Sequence, residues 1–223
     1  MVPWIESQHD FPSVASALTE PNGLLCAGGD LAPETIIAAY SRGIFPWFSD
    51  GQPILWWSPD PRMVLLPAEF KVSKSLAKTV GRQMFEIRFD SAFASVISAC
   101  SAPRSEGGGT WIVPEMQAAY AQLYALGIAH SIESWRDGKL VGGLYGLALG
   151  RMFFGESMFA LETDASKVAL VALVEKLNRD GFELIDCQQE TRHLASFGAR
   201  PIPRQDFVQR LKELIDLKPS AWR

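Results

Sequence analysis

The chain has 223 residues, of which 48% are hydrophobic and 21% charged, with a net charge of −4. That balance excludes a disordered chain and supplies enough apolar side chain to bury a core, on a length that suits one large domain or two small ones. No apolar run reaches the ~18 residues of a membrane span, the opening Met-Val-Pro-Trp-Ile-Glu lacks the basic and apolar stretches of a signal peptide, and the odd, widely spaced cysteines Cys26, Cys100 and Cys187 suit a reducing cytoplasm better than a disulfide framework or a zinc site.

Residues 1–63 are rich in Pro, Gly and Trp and are expected to form a small domain ahead of a larger one, residues 64–223. Pro21-Asn22-Gly23 and Gly28-Gly29-Asp30 read as turns. Asp30 or Ala32 can cap a short helix with Pro33 in its first turn, which Gly43 ends after about Ser41. The segments 44–48 and 54–61 carry too much proline for central strands or long helices, so an irregular packed layer is expected there. Residues 62–67 read as a strand. Ser73 to about Val80 reads as a helix, with Lys74, Lys78 and Arg82 sharing one face. These three belong to a basic stretch in an acidic chain. Residues 1–61 hold one base, Arg42, against seven acids, whereas residues 62–104 hold seven bases against Glu69, Glu86 and Asp90. Such a block can attract phosphate locally, the plainer alternative being a solvated surface.

Phe85–Phe89 reads as a short strand, and Asp90 is expected to cap a helix that runs to Cys100. Residues 101–109, made of Ser, Pro and Gly with a few charges, read as a linker. Pro114 opens a helix with Met116, Ala119, Tyr120, Leu123 and Leu126 on its apolar face and Gly127 at its end. Ala129–Trp135, Lys139–Leu149 and Met152–Met158 form a three-stranded meander that turns at Asp137-Gly138 and Gly150-Arg151. Thr163 or Asp164 caps a helix from Ala165 to Asn178, and Phe182–Cys187 is an apolar, buried strand. Glu190–Phe197 and residues 204–216 are the last helices. This order predicts an α+β fold with a mainly antiparallel sheet and one late crossover.

Few motifs survive inspection. Gly155-Glu156-Ser157 resembles a nucleophile elbow but lacks the second glycine and the immediate helix. His9, His130 and His193 have no partner at metal-ligand spacing. Arg104-Ser105-Glu106-Gly107-Gly108-Gly109 fits the Arg-x-x-Gly-x-Gly pattern that cradles coenzyme A in GNAT acyltransferases. That loop should follow the central strand and open a helix, however, and the equivalent stretch here, Phe159 to Ser166, has no glycine. The informative residues are Glu156 and Asp186, each in an otherwise apolar strand where a charge is costly unless paired or functional. Alternation is expected to put Asp186 and Gln188 on one face.

Read together, nine blocks in order resemble one family. They are Asn22-Gly23-Leu24-Leu25 with Gly28-Gly29-Asp30-Leu31; Tyr40-x-Arg42-Gly43-Ile44-Phe45-Pro46-Trp47-Phe48; Trp56-Trp57-Ser58-Pro59-Asp60-Pro61-Arg62; Thr110-Trp111-Ile112; His130-Ser131-Ile132-Glu133; Gly142-Gly143-Leu144-Tyr145-Gly146; Phe154-Gly155-Glu156-Ser157-Met158-Phe159; Ala165-Ser166-Lys167; and Ile185-Asp186-Cys187-Gln188. They look like the bacterial leucyl/phenylalanyl-tRNA–protein transferases. The resemblance implies a small N-terminal domain packed on a GNAT-like (acyl-CoA N-acyltransferase-like) catalytic domain. It implies transfer of leucine or phenylalanine, with methionine a further candidate, from Leu-tRNA or Phe-tRNA to the α-amine of proteins that begin with Arg or Lys, which marks them for N-end-rule degradation. It implies a cytoplasmic enzyme, a monomer, with no metal or other cofactor. The matching positions also suggest roles. Gln188 accepts a hydrogen bond from the amine and Asp186 orients Gln188. Glu156 attracts the amine or the acceptor's cationic side chain. Leu144, Phe153, Leu170 and Leu173 line a slot for the aminoacyl side chain, and Trp47 and Trp111 stack on the terminal adenosine. The basic face of Lys74, Lys78 and Arg82 is then expected to meet tRNA phosphates. The competing readings are an acyl-CoA-dependent N-acyltransferase, which needs the missing glycine loop, and a non-catalytic tRNA- or degron-binding module.

Overall fold

The computed structural model describes residues 2–102, 112–218 and 222. In chain order the elements are β1 (Trp4–Ile5), β2 (Leu24–Gly28), α1 (Pro33–Tyr40), β3 (Phe45–Pro46), β4 (Leu55–Trp57), β5 (Arg62–Leu65), α2 (Lys74–Gly81), β6 (Glu86–Phe89), α3 (Phe93–Ser101), α4 (Pro114–Ala125), β7 (Ala129–Arg136), β8 (Lys139–Leu149), β9 (Met152–Ala160), α5 (Ala165–Arg179), β10 (Leu184–Gln188), α6 (Arg192–Ala195), β11 (Arg200–Ile202) and α7 (Arg204–Leu214). A four-stranded sheet, in the order β1-β2-β4-β3, forms the N-terminal layer. A seven-stranded sheet, in the order β11-β5-β10-β9-β8-β7-β6, carries the rest. Among the described residues only β9 and β10 pair parallel in the large sheet, joined by the α5 crossover. The α+β class and the mainly antiparallel sheet are therefore as the element order predicts.

The large sheet is buried on both faces. On one face Tyr145, Leu147, Met152 and Phe154 pack with Phe93, Val96 and Ile97 of α3, Met116 and Tyr120 of α4, and Phe207 and Leu211 of α7. Tyr40 and Phe45 of the N-terminal layer enter this same cluster, so the two sheets share one core. On the other face Ile132, Leu144 and Phe153 pack under Ala169, Leu170, Leu173 and Leu177 of α5. Gly142 lets that helix sit close, because a Cβ there would lie 2.6 Å from the Ala165 Cβ.

Several details differ from expectation. Leu55–Trp57 is an interior strand, paired with β2 on one side and β3 on the other. Its proline neighbours lie outside the three paired residues, and Pro46 sits on the edge strand, where a missing N–H is tolerated. Strand β5 joins the large sheet and contains residues on both sides of the 63/64 boundary. Asp90 does not cap α3. It takes a left-handed conformation (φ 54°) and turns its carboxylate onto the Ser131 N–H and His130 Nδ1. The helix start is satisfied instead from β7, where the buried Glu133 accepts from the Ser91 and Ala92 N–H groups. Asp164 occupies the cap position of α5 without capping it, and bonds Lys167 and Thr79. Leu126, expected on the apolar face, is 59% exposed just beyond the end of α4. The linker reading of 101–109 and the Arg104–Gly109 pattern fall largely outside the described residues.

Candidate active site

The cleft forms where β9 and β10 part. Their parallel pairing ends at Asp186 opposite Phe154, and both strands are distorted immediately beyond. On β9, Ser157 faces Tyr145 and Gly155 faces Gly146, so Glu156 is the extra residue of a bulge. On β10, Asp186 faces Val64 and Gln188 faces Met63, which leaves Cys187 as the extra residue, and Gln188 adopts a left-handed φ of 61°. Ligands of parallel strands gather beyond their carboxyl ends. Here the two bulges open a cavity of about 520 Å³ at that point.

Leu144, Phe153, Leu170 and Leu173 all line this cavity and are buried, which makes this part of it apolar. Gly146 behind it lets the lining Phe153 ring pack close, since a Cβ there would meet the Phe154 carbonyl at 2.2 Å and the Phe153 ring at 2.6 Å. Phe45, Pro46 and Trp47 of the N-terminal layer also line the cavity. Trp47 is 38% exposed, with its ring edge-on to Trp57 at 5.3 Å and its carbonyl held by the Trp57 Nε1–H. Trp111 lies outside the described residues.

Glu156 lines the same cavity. Its Oε1 accepts from the Tyr40 hydroxyl at 2.7 Å and from Gln188 Nε2 at 3.2 Å, and its Oε2 accepts from the Tyr120 hydroxyl at 2.9 Å. The two hydroxyls also touch, at 2.7 Å. Burial pushes the Glu156 carboxyl up to about 8, helped by the negative charge of Asp186 and opposed by its three hydrogen bonds. Burial and the neighbouring Glu156 charge hold Tyr40 and Tyr120 well above the usual phenol range, so both remain protonated donors. Because Gln188 turns its NH₂ toward Glu156, its carbonyl oxygen is the end left to accept.

Asp186 stands elsewhere. Ile185, Cys187 and Gln188 line the cleft, whereas Asp186 is fully buried on the other side of the strand. Both of its oxygens bind Arg62, through Nε at 2.8 Å and Nη2 at 2.7 Å, and Oδ1 also accepts the Gln188 backbone N–H at 2.9 Å. The bulge at Cys187 is the reason that simple alternation fails here. Lys74, Lys78 and Arg82 are largely exposed along or just after α2 and line no part of the cleft. Sequence reasoning misses the roles of Tyr40, Tyr120 and Arg62. Tyr40 and Arg62 fall inside the family-like blocks, but nothing in the blocks sets them apart from their neighbours. Among the described residues no three His, Cys, Asp or Glu side chains are grouped to hold a metal ion, and no helix is long and apolar enough to cross a membrane.

A mixed α/β protein with a mainly antiparallel sheet and a cavity lined by buried apolar side chains and a carboxylate–amide pair has the parts of a group transferase. Residues 64–212 match the family model for leucyl/phenylalanyl-tRNA protein transferase, and residues 29–60 match that of its N-terminal domain. Curated proteins named leucyl/phenylalanyl-tRNA–protein transferase are 60% identical in Nitrosospira multiformis (97% of this chain, 93% of the relative) and 58% identical in Aromatoleum aromaticum (100% and 94%). Among solved structures, a GCN5-related N-acetyltransferase from Kribbella flavida aligns with a TM-score of 0.35 and 9% identity over 74% of this chain and 58% of that one. The chain belongs to the leucyl/phenylalanyl-tRNA–protein transferase family.

Proposed function

We propose that this protein moves leucine or phenylalanine from aminoacyl-tRNA onto the α-amine of a protein that begins with Arg or Lys, and that the product is destined for N-end-rule degradation. The observation that carries the reading is the apolar end of the cleft beside the Glu156–Gln188 pair. The slot takes the leucyl or phenylalanyl side chain, which brings the ester carbonyl to the mouth where the acceptor amine arrives. Trp47 offers a ring for the terminal adenine, a contact of ~1–3 kcal/mol.

A free α-amine has a pKa of about 7.7–8.0 and is largely protonated at neutral pH. Glu156, raised to about 8, is matched to it: its ionised form, a minor fraction at pH 7 that grows toward pH 8, takes the proton with little cost, so transfer is expected to speed up over that range. The amine, held by the Gln188 carbonyl oxygen, then attacks the ester carbon. The C–O bond to the tRNA ribose breaks as the ribose oxygen takes the proton shed by the attacking nitrogen, and a peptide bond remains. The ester is already activated, so holding the two reactants in register supplies much of the acceleration, on the order of 7–11 kcal/mol at most. The reaction is cytoplasmic and the enzyme works as a monomer in this reading.

The direct test supplies labelled Phe-tRNA or Leu-tRNA with an Arg-starting peptide, and acyl-CoA with the same peptide as control. Transfer from acyl-CoA with none from aminoacyl-tRNA refutes the reading. The basic face of Lys74, Lys78 and Arg82 gives a second expected result. Neutralising all three raises KM for charged tRNA and lowers the slope of its salt dependence by about 0.7–0.9 for each phosphate that is no longer neutralised. A short aminoacyl-adenosine donor, which lacks those phosphates, keeps its KM. Equal weakening with both donors would count against this face as the tRNA-binding surface.

A further inference from the structure

We propose that Arg62 is a positioning residue of the transfer reaction, acting through Asp186 to hold Gln188 in its left-handed turn. The inference rests on the function proposed above for its kinetic arm but not for its structural one. Arg62 is fully buried and opens β5, 124 residues away from its partner. Its guanidinium is gripped from several sides. The Phe45 and Phe207 ring centroids lie 4.8 and 4.7 Å from its central carbon, and Nη1 donates to the Gly43 carbonyl at 3.2 Å. The N-terminal layer, α7 and β5 therefore all fix where this cation sits. Its planar fork in turn fixes both Asp186 oxygens, a geometry that a lysine cannot reproduce.

What the fork controls is visible one step on. Asp186 Oδ1, already on Arg62 Nε, accepts the Gln188 backbone N–H. That bond spans the bulge at Cys187 and closes the turn in which Gln188 takes its positive φ, a conformation a non-glycine residue adopts only when its surroundings dictate it. The same turn brings the Gln188 amide to Glu156. Arg62 thus sets the position of the cleft amide without lining the cleft.

The test is Arg62→Lys in the full-length protein, read by amide hydrogen exchange and by kinetics. If Arg62 positions Gln188, the Gln188 amide exchanges at least about tenfold faster than in the parent, while amides of the β8–β9 hairpin such as Leu147 keep their protection. With Phe-tRNA as donor, kcat falls at least about tenfold and the donor KM stays within about threefold. Unchanged protection at Gln188, a parental kcat, or a uniform loss of protection across the sheet overturns the proposal. Should Arg62→Lys fail to fold, Asp186→Asn is compared with Asp186→Ala by the same exchange and kinetic readings. It keeps an acceptor oxygen for the Gln188 N–H, so its kcat stays above that of Asp186→Ala; an equal fall in the two overturns the proposal. A parent protein that transfers nothing refutes the proposed function, and the exchange measurement still decides the role of Arg62.

Discussion

Glu156→Gln is expected to lower kcat/KM for an Arg-starting acceptor by about 10²–10⁴, the usual contribution of a positioned base. The substitution keeps the shape of the side chain and removes its ability to take a proton. Arg-starting and Gln-starting peptides should lose efficiency in parallel, because the α-amine is common to both. A selective loss for Arg and Lys would instead mean that Glu156 reads the acceptor's side-chain charge, and parental activity would remove it from the chemistry altogether. Stability gives an independent check. Glu156 binds its proton with a pKa of about 8 in the folded protein, against an ordinary value of 4.5. Between those values the folded state holds more proton than the unfolded one, so this group makes stability fall as pH rises, by roughly a few kcal/mol in all. Glu156→Gln should flatten that part of the profile, as urea titrations from about pH 4.5 to about pH 8.5 would read.

The second large effect concerns the buried ion pair. Arg62→Met or Asp186→Ala alone leaves an uncompensated charge among Phe45, Phe207 and Val64, and should cost about 3–5 kcal/mol. For a chain of this length that is a fall in Tm of roughly 6–20 °C. Joining Arg62→Met to Asp186→Leu removes both charges and should restore most of the stability. It should not restore turnover, because the acceptor for the Gln188 N–H is gone. Single variants that melt within about 2 °C of the parent would contradict a buried, mutually dependent pair.

The meander, the α5 crossover and the β10 strand are legible in the sequence, through period-two and period-3.6 patterns bounded by Asp137-Gly138, Gly150 and Gly181. The slot residues come from family-like blocks and their neighbours, and the fold brings all four together. The exceptions have physical causes. Leu55–Trp57 is hidden because three residues between prolines are too short for a periodic signal. The bulges at Glu156 and Cys187 are hidden because alternation continues through them on paper, and only pairing with the neighbouring strand reveals the extra residue. Arg62 does leave a usable signal, a lone cation opening the apolar run Met63-Val64-Leu65-Leu66. Its partner cannot be named from sequence, since a contact across 124 residues has no local trace. Tyr120 looks like one more apolar position on α4, and only its hydroxyl, reaching Glu156, sets it apart.

Tyr40 belongs to the N-terminal layer, as Trp47 does, while Glu156 belongs to the other sheet. One side of the cleft and one donor to its carboxylate thus travel together. Any loosening of that layer that widened the cavity would also strip a hydrogen bond from Glu156 and let water reach it. If Glu156 is the base proposed above, it keeps its full set of hydrogen bonds only while the N-terminal layer is seated against it, which would guard charged tRNA against hydrolysis.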